Sequence, residues 1–175
     1  MFKSLLLFAL TSVFFNSVYA EPQMVRLSSK VASLGLGGGS IVIDTQARRL
    51  YFIVSANEAI QYKVAVPQKS DDKDWYGYTQ VVDKRWMPDW APPASVKAAH
   101  PELPDLIPGG SPHNPMGPAA ILLSQDQVAI HGTTAKMRTS VLKGQAASFG
   151  CIRMLSEDVA DLFQRVGVGA VVLKM

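Results

Sequence analysis

Cys151 is the sole cysteine of the chain, so no disulfide can form within it and the thiol invites a chemical reading. Thiolate, not thiol, is the nucleophile, so a working cysteine needs a base or a positive neighbourhood. Three histidines are available: His100, His113 and His131. His131 closes the run Gln127-Val128-Ala129-Ile130-His131 and is followed by Gly132 and Thr133. Gly150 immediately precedes Cys151, and Arg153 follows two residues later. Glycine beside a nucleophile permits close substrate approach and backbone angles that other residues avoid. Backbone N–H groups around Ser148 and Gly150 are candidates for an oxyanion hole, and Ser148 also suits a turn-shaping hydrogen bond. Arg153 has two readings of equal weight: it holds a substrate carboxylate, or it pairs with Glu157 or Asp158. Spacing alone leaves other roles open. Cys151 would equally serve as an intermolecular bridge or a buried spectator, and His131 as a structural group.

The compartment sharpens the question. Met1-Phe2-Lys3 gives a positive start, Ser4 to Phe15 is almost wholly apolar, and Val18-Tyr19-Ala20 ends in small-residue style. Residues 1–20 therefore read as a secretory signal peptide cleaved before Glu21. The apolar run falls short of the roughly 17–25 residues that a span requires, and an uncleaved anchor is the alternative. No second apolar run is long enough to cross a bilayer, so no stable membrane span is expected after signal removal. Exported proteins commonly pair their cysteines, which makes a single one more conspicuous. The formal net charge of +3 is modest and Lys and Arg form no block, so no nucleic-acid partner is expected.

The elements that must position these groups follow from local pattern. Residues 21–39 read as an irregular lead-in ending in Gly35-Leu36-Gly37-Gly38-Gly39, and residues 40–175 as one domain. Ser40–Asp44 and Arg49–Val54, rich in β-branched and aromatic residues, form a hairpin across Thr45-Gln46-Ala47. Ile60–Val66 alternates and gives a third strand, and Ser70–Asp74 is a polar loop. From Tyr76 to Pro118 the chain reads as irregular, with nine prolines between Pro88 and Pro118, because proline breaks ladders. Trp86 and Trp90, with Trp75 close before, favour an ordered loop. Ala119–Leu123 and Gln127–His131 form a second hairpin, which puts His131 at a strand end. Ser156 is expected to cap a helix terminated near Gly167, with Val159, Leu162, Phe163 and Val166 on its apolar face. Val171–Leu173 closes the chain as a strand. The fold class is mainly β, with one clear helix after the candidate nucleophile.

Ile130-His131-Gly132-Thr133 followed by Ser148-Phe149-Gly150-Cys151-Ile152-Arg153-Met154 resembles the signature of the L,D-transpeptidases, the YkuD-type catalytic domain. Trp86-Met87-Pro88-Asp89-Trp90-Ala91-Pro92-Pro93 is similar to that family's tryptophan–proline segment. Ile107–Gly117 resembles its Pro-Gly-Gly…Asn-Pro-Leu-Gly loop, and Leu162–Gly169 its usual close. The resemblance spans about residues 40–175. It implies a β-sandwich-like catalytic domain, with Cys151 as nucleophile, His131 as general base, and Arg153, Thr133, Gly132 and Asn114 lining the substrate site. Asn114 also reads as a turn former. The implied substrates are peptidoglycan stem peptides, and the resemblance implies neither a metal site nor a cofactor. The thiolate attacks the carbonyl of the third stem residue, expels the terminal D-Ala, and leaves a thioester for an amine to resolve. A stem diamino acid as acceptor gives a 3→3 cross-link, a lipoprotein lysine attaches a protein to the wall, and water makes an L,D-carboxypeptidase. The implied location is the periplasm or cell wall. One departure is Phe149, where the family's usual run has a second histidine; it motivates a non-catalytic wall-binding module as a further alternative.

Overall fold

The computed structural model describes residues 22–68, 74–145 and 150–175. Nine strands are found there: β1 (Gln23–Arg26), β2 (Ile41–Asp44), β3 (Arg49–Ile53), β4 (Glu58–Ala65), β5 (Gly77–Trp86), β6 (Ala119–Leu123), β7 (Ala129–His131), β8 (Ile152–Met154) and β9 (Val171–Lys174). The helices are α1 (Ser29–Ala32), α2 (Ala94–Ala99), α3 (Arg138–Leu142) and α4 (Ser156–Arg165), with one 3₁₀ turn at Ala135–Met137. The mainly β class and the helix after Cys151 stand as expected.

Two strands belong to both layers. The first part of β4 pairs with β1 and β3, whereas Val64 and Ala65 pair with Met154 and Arg153 of β8. Likewise Gly77–Gln80 of β5 pairs with β9, and Val81–Trp86 pairs with β6. The order β4-β3-β2-β9-β5-β6-β7-β8 thus returns to β4, with β1 added at the outer edge. Closure removes most of the open edges that invite other chains. The interior is filled by alternate residues: Ile41 and Ile43 from β2, Tyr62 and Val64 from β4, Ile121 from β6, Ile130 from β7, and Ile152 and Met154 from β8. Helix α4 seals one side by burying Val159 and Leu162 in the same cluster. Each such side chain contributes about 1.5–3 kcal/mol relative to exposure. Phe163 sits at the rim, against Trp86, at a ring separation of 5.5 Å.

Four expectations need correction. The lead-in at 21–39 is not wholly irregular, because β1 and α1 lie within it. The stretch after Tyr76 opens with the ten-residue strand β5. Its inward Thr79 and Val81 alternate with outward Tyr78, Gln80 and Val82, but a register shift between Val81 and Asp83 breaks the period just before a charged triplet. Ser156 does not cap α4: Leu155 holds that position, and the Ser156 hydroxyl donates to the Thr133 carbonyl at 2.8 Å. Asp74 is not a solvated loop residue, since it pairs with the fully buried Lys174.

Candidate active site

Strands β7 and β8 run parallel, with Ile130 beside Ile152 and His131 beside Arg153. Ile130 and Ile152 fill the core, so period-two alternation turns His131 and Arg153 to the opposite face. Cys151 lies two residues before Arg153, immediately ahead of β8. Parallel neighbours require a crossover, here residues 132–151 with α3. Within it, Ser148 and Phe149 lie outside the described residues.

The His131 side is rigid. The residue is 4% exposed, and its Nδ1–H donates to the Gly132 carbonyl at 2.8 Å. A carbonyl can only accept, so this bond places the proton on Nδ1 and leaves Nε2 as the acceptor. Burial, and then the Arg153 charge, push the imidazole from 6.5 down to about 4, against weaker support for the cation from the Gly132 and Pro115 carbonyls. Gly132 N–H donates to the Met116 carbonyl at 2.8 Å. A Cβ at Gly132 would meet Pro118 Cδ at 2.9 Å, and one at Gly117 would meet Thr133 N at 2.8 Å, so both glycines are demanded by close approach. Thr133 is buried behind them.

The Cys151 side is more open. Cys151 is partly exposed, and its thiol donates to the Gln127 carbonyl at 3.6 Å. Gln127 has a φ of 57° and sits in the turn before β7. Gly150 has a φ of 111°, which glycine tolerates and a side chain would resist. The indole N–H of Trp75 donates to the Gly150 carbonyl at 3.4 Å. Gln127 and Trp75 were invisible as site residues in the sequence; the lone signal was a tryptophan beside a polar loop.

Burial pushes the Arg153 guanidinium down from its usual range, and the charge of a thiolate at Cys151 works in the opposite sense. Glu157 is engaged elsewhere, in two hydrogen bonds from Arg138 at 2.8 and 2.5 Å. Arg153 instead lines a groove of about 870 Å³ that also touches Trp90, His100, His113, Pro115 and Lys136. The far wall is the proline-rich segment, ordered by reciprocal Trp90–Ile107 backbone bonds of 2.8 Å. Asn114 is its internal clamp, 2% exposed. Its amide donates to the carbonyls of Pro88, Ile107 and Pro108, and its Oδ1 accepts from Met116 N–H. Those bonds give Asn114 the work of shaping the loop. No helix among the described residues is long and apolar enough to cross a membrane.

The domain is a closed two-layer β fold with His131 and Arg153 on adjoining strands, Cys151 directly before the second of them, and a groove lined by Arg153. The model of the L,D-transpeptidase catalytic domain, YkuD, matches residues 38–173, and the chain belongs to this family. A relative from Fuscovulum blasticum, whose name places it among the L,D-transpeptidases, is 36% identical over 77% of this chain and 68% of its own length. The Escherichia coli K12 protein named "Probable L,D-transpeptidase YbiS" is 35% identical over 74% of this chain and 42% of its own. The chain thus spans about two-fifths of that relative's length. Among solved structures, an L,D-transpeptidase from Mycobacterium smegmatis superposes with a TM-score of 0.60 at 15% identity, over 77% of this chain and 57% of that one. An Enterococcus faecium L,D-transpeptidase gives 0.59 at 14%, over 80% and 50%. At such identities the structures speak for the fold, which they share.

Proposed function

We propose that this domain transfers acyl groups of peptidoglycan stem peptides through a thioester on Cys151, with His131 as general base. The observation that supports the reading is the β7–β8 pairing, which sets His131 beside the groove-lining Arg153, with Cys151 directly before β8. In the first step Sγ attacks the carbonyl of the third stem residue while Nε2 of His131 takes the thiol proton. The tetrahedral intermediate then collapses, breaking the bond to the terminal D-Ala, whose amine receives that proton. In the second step an amine attacks the thioester, loses a proton to His131 and frees the thiol. Burial disfavours a standing imidazolium, so proton transfer accompanies attack rather than preceding it. Arg153 suits a carboxylate of the stem, by charge and by its place in the groove wall. Gly150 is assigned to the turn before the nucleophile and to the oxyanion hole, and Gly132, Thr133 and Asn114 to the substrate site with Arg153; Ser148, the other oxyanion candidate, lies outside the described residues.

The same reading puts the reaction in the periplasm or wall, reached through the leader in residues 1–20, and leaves three acceptors: a stem diamino acid, a lipoprotein lysine, or water. Phe149 favours one rival, a wall-binding module that never acylates, because an apolar residue stands two positions before Cys151 where the family's usual run has a chargeable one. Incubation with a tetrapeptide muropeptide followed by intact-mass measurement decides between them. The expected result is a covalent tripeptide acyl adduct with loss of D-Ala, absent from Cys151→Ala protein. Folded wild-type protein that stays unmodified would overturn the enzyme reading. Chromatography of the released products then separates cross-linked dimers from trimmed tripeptides.

A further inference from the structure

The strongest unabsorbed feature is a buried cation on the last strand. The Lys174 side chain has no solvent exposure, yet it carries an ammonium. Burying an unpaired charge is expensive, and pairing relieves the cost. Its partner is Asp74, whose side chain is itself only 12% exposed, and the two form an ion pair. The same ammonium lies 5.1 Å from the Trp75 ring centroid and 4.7 Å from that of Tyr76, within cation–π range of both. Residues 74–76 are thus gathered around one charge that β9 holds inside the fold. Trp75 also packs against the main core. Its ring is fixed on two sides, and its N–H reaches the Gly150 carbonyl at 3.4 Å.

That carbonyl belongs to the peptide joining Gly150 to Cys151. The peptide is planar and trans, so holding its oxygen on Trp75 orients the whole plane and turns the Cys151 N–H to the opposite side. The direction in which the Cys151 side chain leaves the backbone is set by the same plane. Gly150, at a φ of 111°, is the link with the most freedom to rotate, so it is where an external tether has most effect. We propose that Trp75 is a positioning residue for the nucleophile, held in place by the buried Lys174–Asp74 pair. The tether acts on the cysteine through a backbone carbonyl and touches no reacting atom. The proposal deepens the acyl-transfer reading and rests on Cys151 being its nucleophile.

Cys151 is the sole cysteine, so iodoacetamide reports on it alone, whether or not the domain acylates. Alkylation rates are to be measured from pH 5 to 10 in wild type, Trp75→Phe, Asp74→Asn and the double variant, alongside thermal melting. Phenylalanine keeps a six-membered ring near the ammonium and deletes the N–H together with the five-membered ring, so the double-variant cycle separates the tether from lost packing. The expected result is a Trp75→Phe melting curve close to wild type, with alkylation at fixed pH slowed about three- to tenfold. Asp74→Asn acts through Trp75, so it should slow wild type and leave Trp75→Phe unchanged, a non-additive cycle. If Asp74→Asn fails to fold, Asp74→Asn with Lys174→Met removes both charges and serves instead. In ¹⁵N-labelled protein the Trp75 indole proton should exchange slowly and shift when Cys151 is alkylated. An alkylation profile of Trp75→Phe that superimposes on wild type, or additive effects in the cycle, would overturn the tether. Failure of the acyl-transfer reading looks different: alkylation responds as described, while a tetrapeptide muropeptide leaves no adduct on wild type.

Discussion

The fold withholds charge from His131, which keeps the proposed base in its neutral form. Burial and Arg153 together lower it to about 4, so the neutral ring persists well below physiological pH. For a reaction that needs neutral imidazole, the acid limb of the acylation profile is therefore expected near pH 4. Arg153→Gln removes the second cause and leaves burial, so that limb should move upward, part of the way to 6.5. A limb that stays in place in single-turnover acylation would show that the arginine charge does not reach the ring. His131→Ala should slow acylation by about 10²–10⁴-fold; an unchanged rate would remove histidine from the mechanism. Phe149→His, which restores a chargeable neighbour, should raise thiol reactivity near neutral pH in the same assay. At this scale the sequence was informative, since a lone cysteine, a glycine before it and a histidine at a strand end were readable as types. Gln127 and Trp75 were not readable, because they act through a backbone carbonyl and an indole N–H brought in from distant segments. Asn114 was readable only as a residue of the loop, and its hydrogen bonds decide what it does.

At the scale of elements, helix α4 carries a second titrating group whose sense is opposite. Asp158 is 2% exposed, and its Oδ1 has no hydrogen-bond partner among the described residues. Burial, and then Glu157, raise its carboxyl from 3.8 to about 7, despite its place in the favourable first turn. Between those values the folded state keeps a proton that the unfolded chain releases, so stability falls as pH rises through that window. For His131 the folded value is the lower one. Between about 4 and 6.5 the unfolded chain binds the extra proton, and stability rises with pH. The two slopes oppose each other over their shared range. Asp158→Asn should therefore raise the melting temperature above pH 7 and expose a rising stability between pH 4 and 6.5. Melting curves across pH test this, and a variant with the wild-type pH dependence would show that Asp158 titrates normally. The helix itself was legible from its 3.6-residue period. Strand β5 was hidden because its bulge flips the alternation and its charged end resembles a loop, and β8, at three residues, is too short to carry a period.

At the scale of the whole molecule, the ring closes through its chain-distant parts. β9 lies between β2 and β5, parallel to the first and antiparallel to the second, and it brings the Lys174 that anchors Asp74. Composition and local pattern identify β9 as a strand but cannot say where it docks, since pairing partners between 91 and 131 residues apart leave no local trace. The topology has a consequence that separates edge from interior. β1 pairs with β4 alone, at the outer rim, so replacing its inward contact by Val25→Lys should leave a cooperative fold. β9 is held on both sides, and Val172 is fully buried; Val172→Asp puts an unpaired carboxylate into the core, which costs several kcal/mol. That exceeds a good share of the roughly 5–15 kcal/mol that holds a domain together. The expected outcome is loss of cooperative thermal unfolding and of dispersed amide resonances for Val172→Asp, with both retained for Val25→Lys. Cys151 alkylation offers a second readout, because the tether through Trp75 should fail with β9 and survive the change in β1. A Val172→Asp protein that melts cooperatively with a wild-type alkylation rate would mean that the ring closes without β9, contrary to the strand order.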